Sequence, residues 1–289
     1  MGKIVRCISK DGSVFAVAVD ATDLAARAEQ IHKTSAVVTA ALGRLLSAAS
    51  MMGYLLKGEE DSVTLRVKGD GPAGAVIAAA DSSGNVRGYV GNPVVELPLN
   101  EKGKLDVGGA VGKNGALYVM KDLGLKEPYI GSVPLLSGEL AEEVTSYYAV
   151  SEQVPTVCSL GVLVNPDLTV RAAGGFLVQL LPFAPEEAVE KVEKAVAAIP
   201  PVTKLLDGGA SPEDICRRAL DGFEVELLEE APVEYRCDCS REKVLRALVS
   251  LGKEELEEMA AEPETEVTCH FCDAAYRFSE DELRALLRK

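Results

Sequence analysis

The residues in this sequence best suited to chemistry are four cysteines near its C-terminal end. They stand as two close pairs, Cys237-Asp238-Cys239 and Cys269-His270-Phe271-Cys272, with 29 residues between Cys239 and Cys269. Four thiolates at such spacings can close a tetrahedron around a zinc ion. The ordinary zinc ribbon carries two CxxC pairs, whereas one pair here is CxC. A disulfide across one intervening residue closes a small strained ring, and strained disulfides are labile rather than structural. Zinc-bound thiolates are already deprotonated, so an oxidant that reaches them meets nucleophiles. Two readings therefore stand side by side: a zinc knuckle that only holds a small domain together, and a metal site that oxidation can open. The spacing alone leaves both open.

Other chemistry-bearing residues carry less. The sequence has two histidines, His32 and His270, so any Ser-His-Asp or Cys-His mechanism must use one of them. His270 lies inside the second cysteine pair and reads as a loop residue rather than a base or ligand. His32 falls late in a helical stretch and reads as structural. Cys7, Cys158 and Cys216 are scattered and read as small buried apolar residues. The run Gly108-Gly109-Ala110-Val111-Gly112-Lys113-Asn114 superficially suggests a phosphate loop. Val107 stands where that motif needs its first glycine, and Asn114 where it needs Ser or Thr. No catalytic constellation is left, and the expectation is a protein that is not an enzyme.

The elements that must position the cysteines can be read in outline. Ser240 can cap a helix bearing Val244, Leu245 and Leu248, a second helix carries Leu256 and Met259, and Glu266-Val267-Thr268 reads as a strand leading into Cys269. Ser279 and Glu282 match a capping box before Leu283 and Leu286. This C-terminal segment, 236–289, is below the size at which one apolar core usually suffices. Before it, 184–235 reads as an acidic helical linker region. Val189, Val192, Val196 and Ile199 make one apolar stripe, Pro200-Pro201 stops that helix, and Ser211-Pro212 opens another. Residues 1–183 read as an α+β core domain. Two strands flank the turn Asp11-Gly12, residues 21–57 fit one or two helices, strands fill 61–92, a helix begins at Ser137, and Thr156–Val164 and Leu168–Leu181 flank Asn165-Pro166-Asp167. Antiparallel hairpins with inserted helices suggest α+β, with a mixed or antiparallel sheet, rather than a regular βαβ series.

Composition narrows the function. The 289 residues carry 30 bases and 45 acids, a net charge of −15, with 26 of the acids and 14 of the bases beyond residue 183. That argues against a general nucleic-acid binder, which needs a basic footprint, and against docking on anionic membranes. There is no Trp, and aromatic residues are 5% of the chain, which leaves no stacking platform for bases. The longest uninterrupted apolar run, Ala73 to Ala80, is far short of the roughly twenty residues of a membrane span. The N-terminal stretch lacks a signal-peptide apolar region, so the expected compartment is the cytoplasm, where a disulfide scaffold is improbable.

The cysteine arrangement at the C-terminus resembles that of the redox-regulated heat-shock chaperones of bacteria, the 33-kilodalton holdases. Ser151-Glu152-Gln153-Val154-Pro155-Thr156 resembles that family's SEQxPT segment. Ala173-Gly174-Gly175-Phe176 through Gln179-Leu180-Leu181-Pro182 resembles its GG-x-x-x-Q-LLP strand. The resemblance runs in order along essentially the whole chain. It implies that Cys237, Cys239, Cys269 and Cys272 are both zinc ligands, one zinc per chain in the reduced form, and redox-active. It implies an ATP-independent holdase, inactive when reduced and zinc-bound. On oxidation such a protein forms disulfides, releases zinc and prevents aggregation of unfolding or oxidatively damaged client proteins. It also implies a homodimer. Disulfides Cys237–Cys239 and Cys269–Cys272 are expected, since sequence neighbours meet fastest, with the less strained CxxC ring closing first. The alternative is a constitutive zinc-stabilised protein-interaction protein without redox switching.

Overall fold

A computed structural model describes residues 1–287, which form two compact units, Met1–Arg236 and a second beginning at Cys237. In the first unit, β1 (Gly2–Ser9) and β2 (Val14–Asp20) make the hairpin that Asp11-Gly12 predicts. Gly12 takes the positive φ of 71° that the turn requires. The stretch read as one or two helices is two, α1 (Thr22–His32) and α2 (Ala36–Tyr54), parted at Lys33, whose backbone is left-handed. Then come β3 (Ser62–Lys68), β4 (Ala75–Asp81), β5 (Val86–Val90), α3 (Val107–Val111), β6 (Ala116–Asp122), β7 (Tyr129–Pro134) and α4 (Leu140–Tyr147), which runs into a π turn at Tyr148–Glu152. Strands β8 (Thr156–Val164) and β9 (Val170–Leu180) precede α5 (Glu186–Ala198), α6 (Val202–Asp207), α7 (Pro212–Ala219) and β10 (Val225–Val233).

These strands make two antiparallel sheets, ordered β10-β1-β2-β9-β8 and β5-β4-β3-β6-β7. Helix α2 packs against strands of both sheets. It is buried on every side, as a helix apolar all round should be. Its length and apolarity would also suit a membrane span, yet nearly all of it lies inside the fold.

The period-two alternation of strands decides what happens on the first sheet's other face. Ile4, Val17 and Val19 point into the core with α2. Their neighbours Val5, Ala16, Ala18, Phe176 and Val178 point the opposite way, into a second core completed by α5, α6 and α7. Ala188, Val192, Val202, Leu205, Ile215 and Leu220 supply the helical side of that core. The stripe on α5 is thus turned slightly from the expected one: Val192 is buried, with Ala188 and Ala195 beside it, while Val189, Val196 and Ile199 are half-buried. The Ser211 cap is present as a full capping box, the Ser211 hydroxyl accepting from Asp214 N at 3.1 Å and Asp214 accepting from Ser211 N at 2.9 Å.

Residues 184–235 are helical only in part, because β10 adds to the edge of β1. Lys3–Glu230 (2.6 Å), Arg6–Glu229 (3.2 Å) and Lys10–Glu224 (2.7 Å) flank that pairing. After β10 the chain crosses to the second sheet. Tyr235 bridges to Val86, its hydroxyl donates to the Gly88 carbonyl at 2.8 Å, and Arg236 pairs with Asp81 at 2.6 Å. His32 joins the same contact, its Nε2 lying 2.9 Å from the Gly88 carbonyl oxygen, so it is a half-buried structural residue.

The second unit contains α8 (Arg241–Val249), α9 (Lys253–Met259), β11 (Glu264–Thr268), β12 (Ala275–Ser279) and α10 (Glu280–Leu286). The two strands form one antiparallel hairpin. Its core has five buried apolar residues, Leu248, Leu256, Ala260, Phe278 and Leu283. That is little for about fifty residues, and small domains of this kind need a staple or a metal.

Candidate metal centre

The two cysteine pairs reach one place by different routes. Cys237 and Cys239 lie on extended chain just before α8. Ser240 caps that helix, its hydroxyl accepting from Lys243 N at 3.2 Å, so the extended stretch has a fixed end one residue past Cys239. Lys243 also pairs with Asp238 between the two cysteines. Cys269 and Cys272 lie in the turn of the β11–β12 hairpin. The Cys269 carbonyl accepts from Asp273 N at 2.9 Å and Cys272 N at 3.3 Å, and Cys269 N donates to the Ala274 carbonyl at 2.9 Å. Asp273 closes the turn in the left-handed region, φ 57°, where Asp is tolerated.

The result is a compact set of four sulfurs. All lie within 4.8 Å of one another, with Cys239 to Cys272 at 3.4 Å and Cys237 to Cys269 at 3.7 Å. A tetrahedral ion with metal–sulfur bonds of about 2.3 Å requires sulfur–sulfur edges of about 3.8 Å. The donor set therefore fits such an ion without rearrangement of the fold. Each of the four is half-buried, open enough for a small oxidant.

Burial disfavours the charged thiolate and pushes Cys272 up to about 11 and Cys237 higher still. At Cys239 the same burial is outweighed, because Tyr276 on β12 donates its hydroxyl to the sulfur at 3.1 Å and the neighbouring thiols donate as well. Cys239 is thus the thiol held below its ordinary value. A cation seated among the sulfurs would displace the protons of the others.

Two residues of the site escape sequence reading. Tyr276 is one, and nothing in its spacing marks it as a donor to sulfur. The other is Arg241, whose guanidinium lies 4.3 Å from the centroid of the Phe278 ring and donates to the Arg277 carbonyl (2.6 Å) and to Glu282 (2.5 Å). It ties the first turn of α8, and so the CxC pair, to β12 and α10. His270 sits within the hairpin turn, and the four-sulfur set closes without it. Cys7, Cys158 and Cys216 belong to the other unit; Cys7 and Cys216 are buried and Cys158 is half-buried. Among the described residues these four cysteines are the one group able to hold a metal ion.

Comparison with known proteins places this geometry in context. Residues 2–279 match the family model described as "Hsp33 protein". The chain is 48% identical over 287 residues to a protein of Lachnoclostridium phytofermentans named 33 kDa chaperonin, covering 99% of this chain and 98% of that one. It is likewise 48% identical to the 33 kDa chaperonin of a Thermoanaerobacter species, over 99% of this chain and 97% of the relative. The crystal structure of the 33 kDa chaperonin of Thermotoga maritima superposes with a TM-score of 0.90 at 44% identity, covering 99% of this chain and 97% of that one.

Proposed function

The chain belongs to the Hsp33 protein family, and on that premise we propose that it is a holding chaperone controlled by the redox state of its four clustered cysteines. The reading assigns it no catalytic step. The observation that carries it is the four-sulfur set, within 4.8 Å, in a unit whose described residues include five buried apolar ones. The ion is zinc, one per chain, held by Cys237, Cys239, Cys269 and Cys272; four thiolates in a tetrahedron are its usual structural site. Bound there, zinc supplies folding free energy on the order of 10 kcal/mol. The site needs reduced thiols, which the cytoplasm provides.

Oxidation acts on the ligands themselves. Two thiolates and two protons reduce one peroxide to two waters and become one disulfide, which removes two donors from the set. With both disulfides formed the second unit loses what folds it. The core, 1–183, keeps its α2-centred interior. The segment 184–235 is the cover: α5, α6 and α7 lie on an apolar sheet face that includes Val5, Ala16, Phe176 and Val178. Release of that cover has to break the Tyr235 contact on β5 and the Arg236 pair with Asp81 at the end of β4, made by residues that stand directly before Cys237 in the chain. The uncovered face, rather than any nucleic acid or membrane, then meets unfolded client proteins. A homodimer is the working assembly.

The test measures two things on one sample. Reduced, metal-loaded protein is treated with peroxide while a chromophoric chelator reports zinc and light scattering reports aggregation of a heat-denatured client. Zinc release and protection should rise together, and dithiothreitol with added zinc should reverse both. Full protection by the reduced protein would instead establish the constitutive interaction protein.

A further inference from the structure

Two cysteines that stand 209 positions apart in the sequence meet inside the first unit. Cys7 on β1 and Cys216 on α7 are both fully buried in the core beneath the helical cover, and their thiols interact. The Cys216 sulfur also lies 3.8 Å from the Val5 carbonyl oxygen. We propose that Cys7 and Cys216 form a second redox-responsive pair, distinct from the metal centre, which peroxide converts into a disulfide that pins α7 to β1.

Three features set the pair apart from ordinary buried thiols. It joins the N-terminal strand to a helix of the segment 184–235, so a bond there would constrain the relation of cover to sheet. The two thiols are unequal: hydrogen bonding from Cys216 lowers Cys7, while Cys216 is held protonated by that bond and by burial. One sulfur is therefore suited to attack and the other to resolve. The element carrying Cys216 is also short. Helix α7 has eight residues, and helices this short depend on the surface they pack against. Its outer face bears Arg217, paired with Glu213 at 2.8 Å, and exposed Arg218.

The chemistry balances with hydrogen peroxide as oxidant. The Cys7 thiolate attacks one peroxide oxygen; a sulfur–oxygen bond forms, the oxygen–oxygen bond breaks, and hydroxide leaves as water after taking a proton. Cys216 sulfur then attacks Cys7 sulfur, the sulfur–oxygen bond breaks, and the second water departs with the Cys216 proton. Two thiols lose two electrons and one peroxide becomes two waters. Peroxide cannot reach fully buried sulfurs, so the step follows local opening of α7 and is slower than oxidation at the half-buried cluster. Once closed, the bond opposes release of the cover.

The experiment uses full-length, metal-loaded protein treated with hydrogen peroxide at 25 °C and just below unfolding of the first unit, then alkylated and mapped without reduction. A linked Cys7–Cys216 peptide should be absent at the lower temperature and appear at the higher one, after the C-terminal cysteines have reacted. Unfolding of the first unit in the linked protein should shift upward by roughly 5–10 °C. Both effects should vanish in Cys216→Ala and in Cys7→Ala, either of which serves if the other folds poorly. No linked peptide at the higher temperature would overturn the proposal, and so would a link that leaves unfolding unshifted.

Discussion

The two units of this chain solve the same stability problem in opposite ways. Met1–Arg236 has a helix sealed between two sheets and a further apolar layer on one sheet's outer face. The unit from Cys237 has five buried apolar residues and four sulfurs converging on one point. Apolar burial contributes gradually, residue by residue, whereas a metal site contributes all at once and is lost all at once. A protein that must respond abruptly to a chemical signal gains from placing the second kind of stability where the signal arrives.

The largest test of that contrast is removal of the metal. Chelation of the reduced protein, or Cys237→Ser, should unfold the second unit outright, a loss on the order of 10 kcal/mol. Hydrogen exchange should then show residues 240–280 unprotected while α2 and its flanking strands keep their protection. Equal loss of protection in both units would break the comparison.

Next in size come matched deletions of one large core residue from each unit. Phe176→Ala should cost the first unit about 3–5 kcal/mol, read as a lower urea midpoint with metal stoichiometry unchanged. Phe278→Ala, in a core of five, should appear instead as a weakened metal site, since folding and binding there are one equilibrium. Competition with a chromophoric chelator separates the two.

A smaller effect is expected at Tyr276. Tyr276→Phe removes the hydroxyl that donates to Cys239 at 3.1 Å and leaves the ring. Metal affinity should fall roughly 10–100-fold, the usual cost of losing a partner of a metal ligand, with no change in the urea midpoint of the first unit. An unaltered affinity would mean that the contact only packs.

The smallest effect belongs to pH. Burial pushes the Cys158 thiol on β8 up to about 12 from its ordinary 9.0. The folded chain therefore keeps its proton where the unfolded chain has lost it. Stability from this group is complete below pH 9 and declines as pH rises towards 12, a loss of about 1 kcal/mol by pH 10. Urea unfolding of wild type and Cys158→Ala at pH 7.5 and 10 should show a steeper decline in the wild type.

Much of this architecture is legible in the sequence because local chemistry announces it. The Asp11-Gly12 turn, the Ser211 N-cap, the Ser279 capping box, the helix stop at Pro200-Pro201 and the two cysteine pairs each carry their reason within a few residues. What escapes has its reason elsewhere in the chain. Val225-Glu226-Leu227-Leu228-Glu229-Glu230 is exposed along most of its length and shows no clean alternation; it is a strand because β1 offers it an edge. Residues 93–136, where β6 and β7 lie, hold many Gly, Lys and Pro residues, and the pairing with β3 that orders β6 is remote in sequence. Tyr276 and Arg241 matter through contacts across the hairpin, which no periodicity records.

Strand β10 has one more consequence. It is the last strand of its sheet, exposed from Glu226 to Glu230, interrupted by Pro232 and bulged at Leu228 opposite Arg6 and Cys7. Charge, proline and bulge are the means by which sheets discourage further strands from joining. If β10 leaves with the rest of the cover, β1 inherits the edge with no proline, and its outward N–H and C=O groups lose their partners. Any extended backbone can satisfy that row, since every polypeptide carries the complementary groups whatever its side chains. Such a template reads no sequence, and an opened copy of this same chain would fit it as well as any foreign client does.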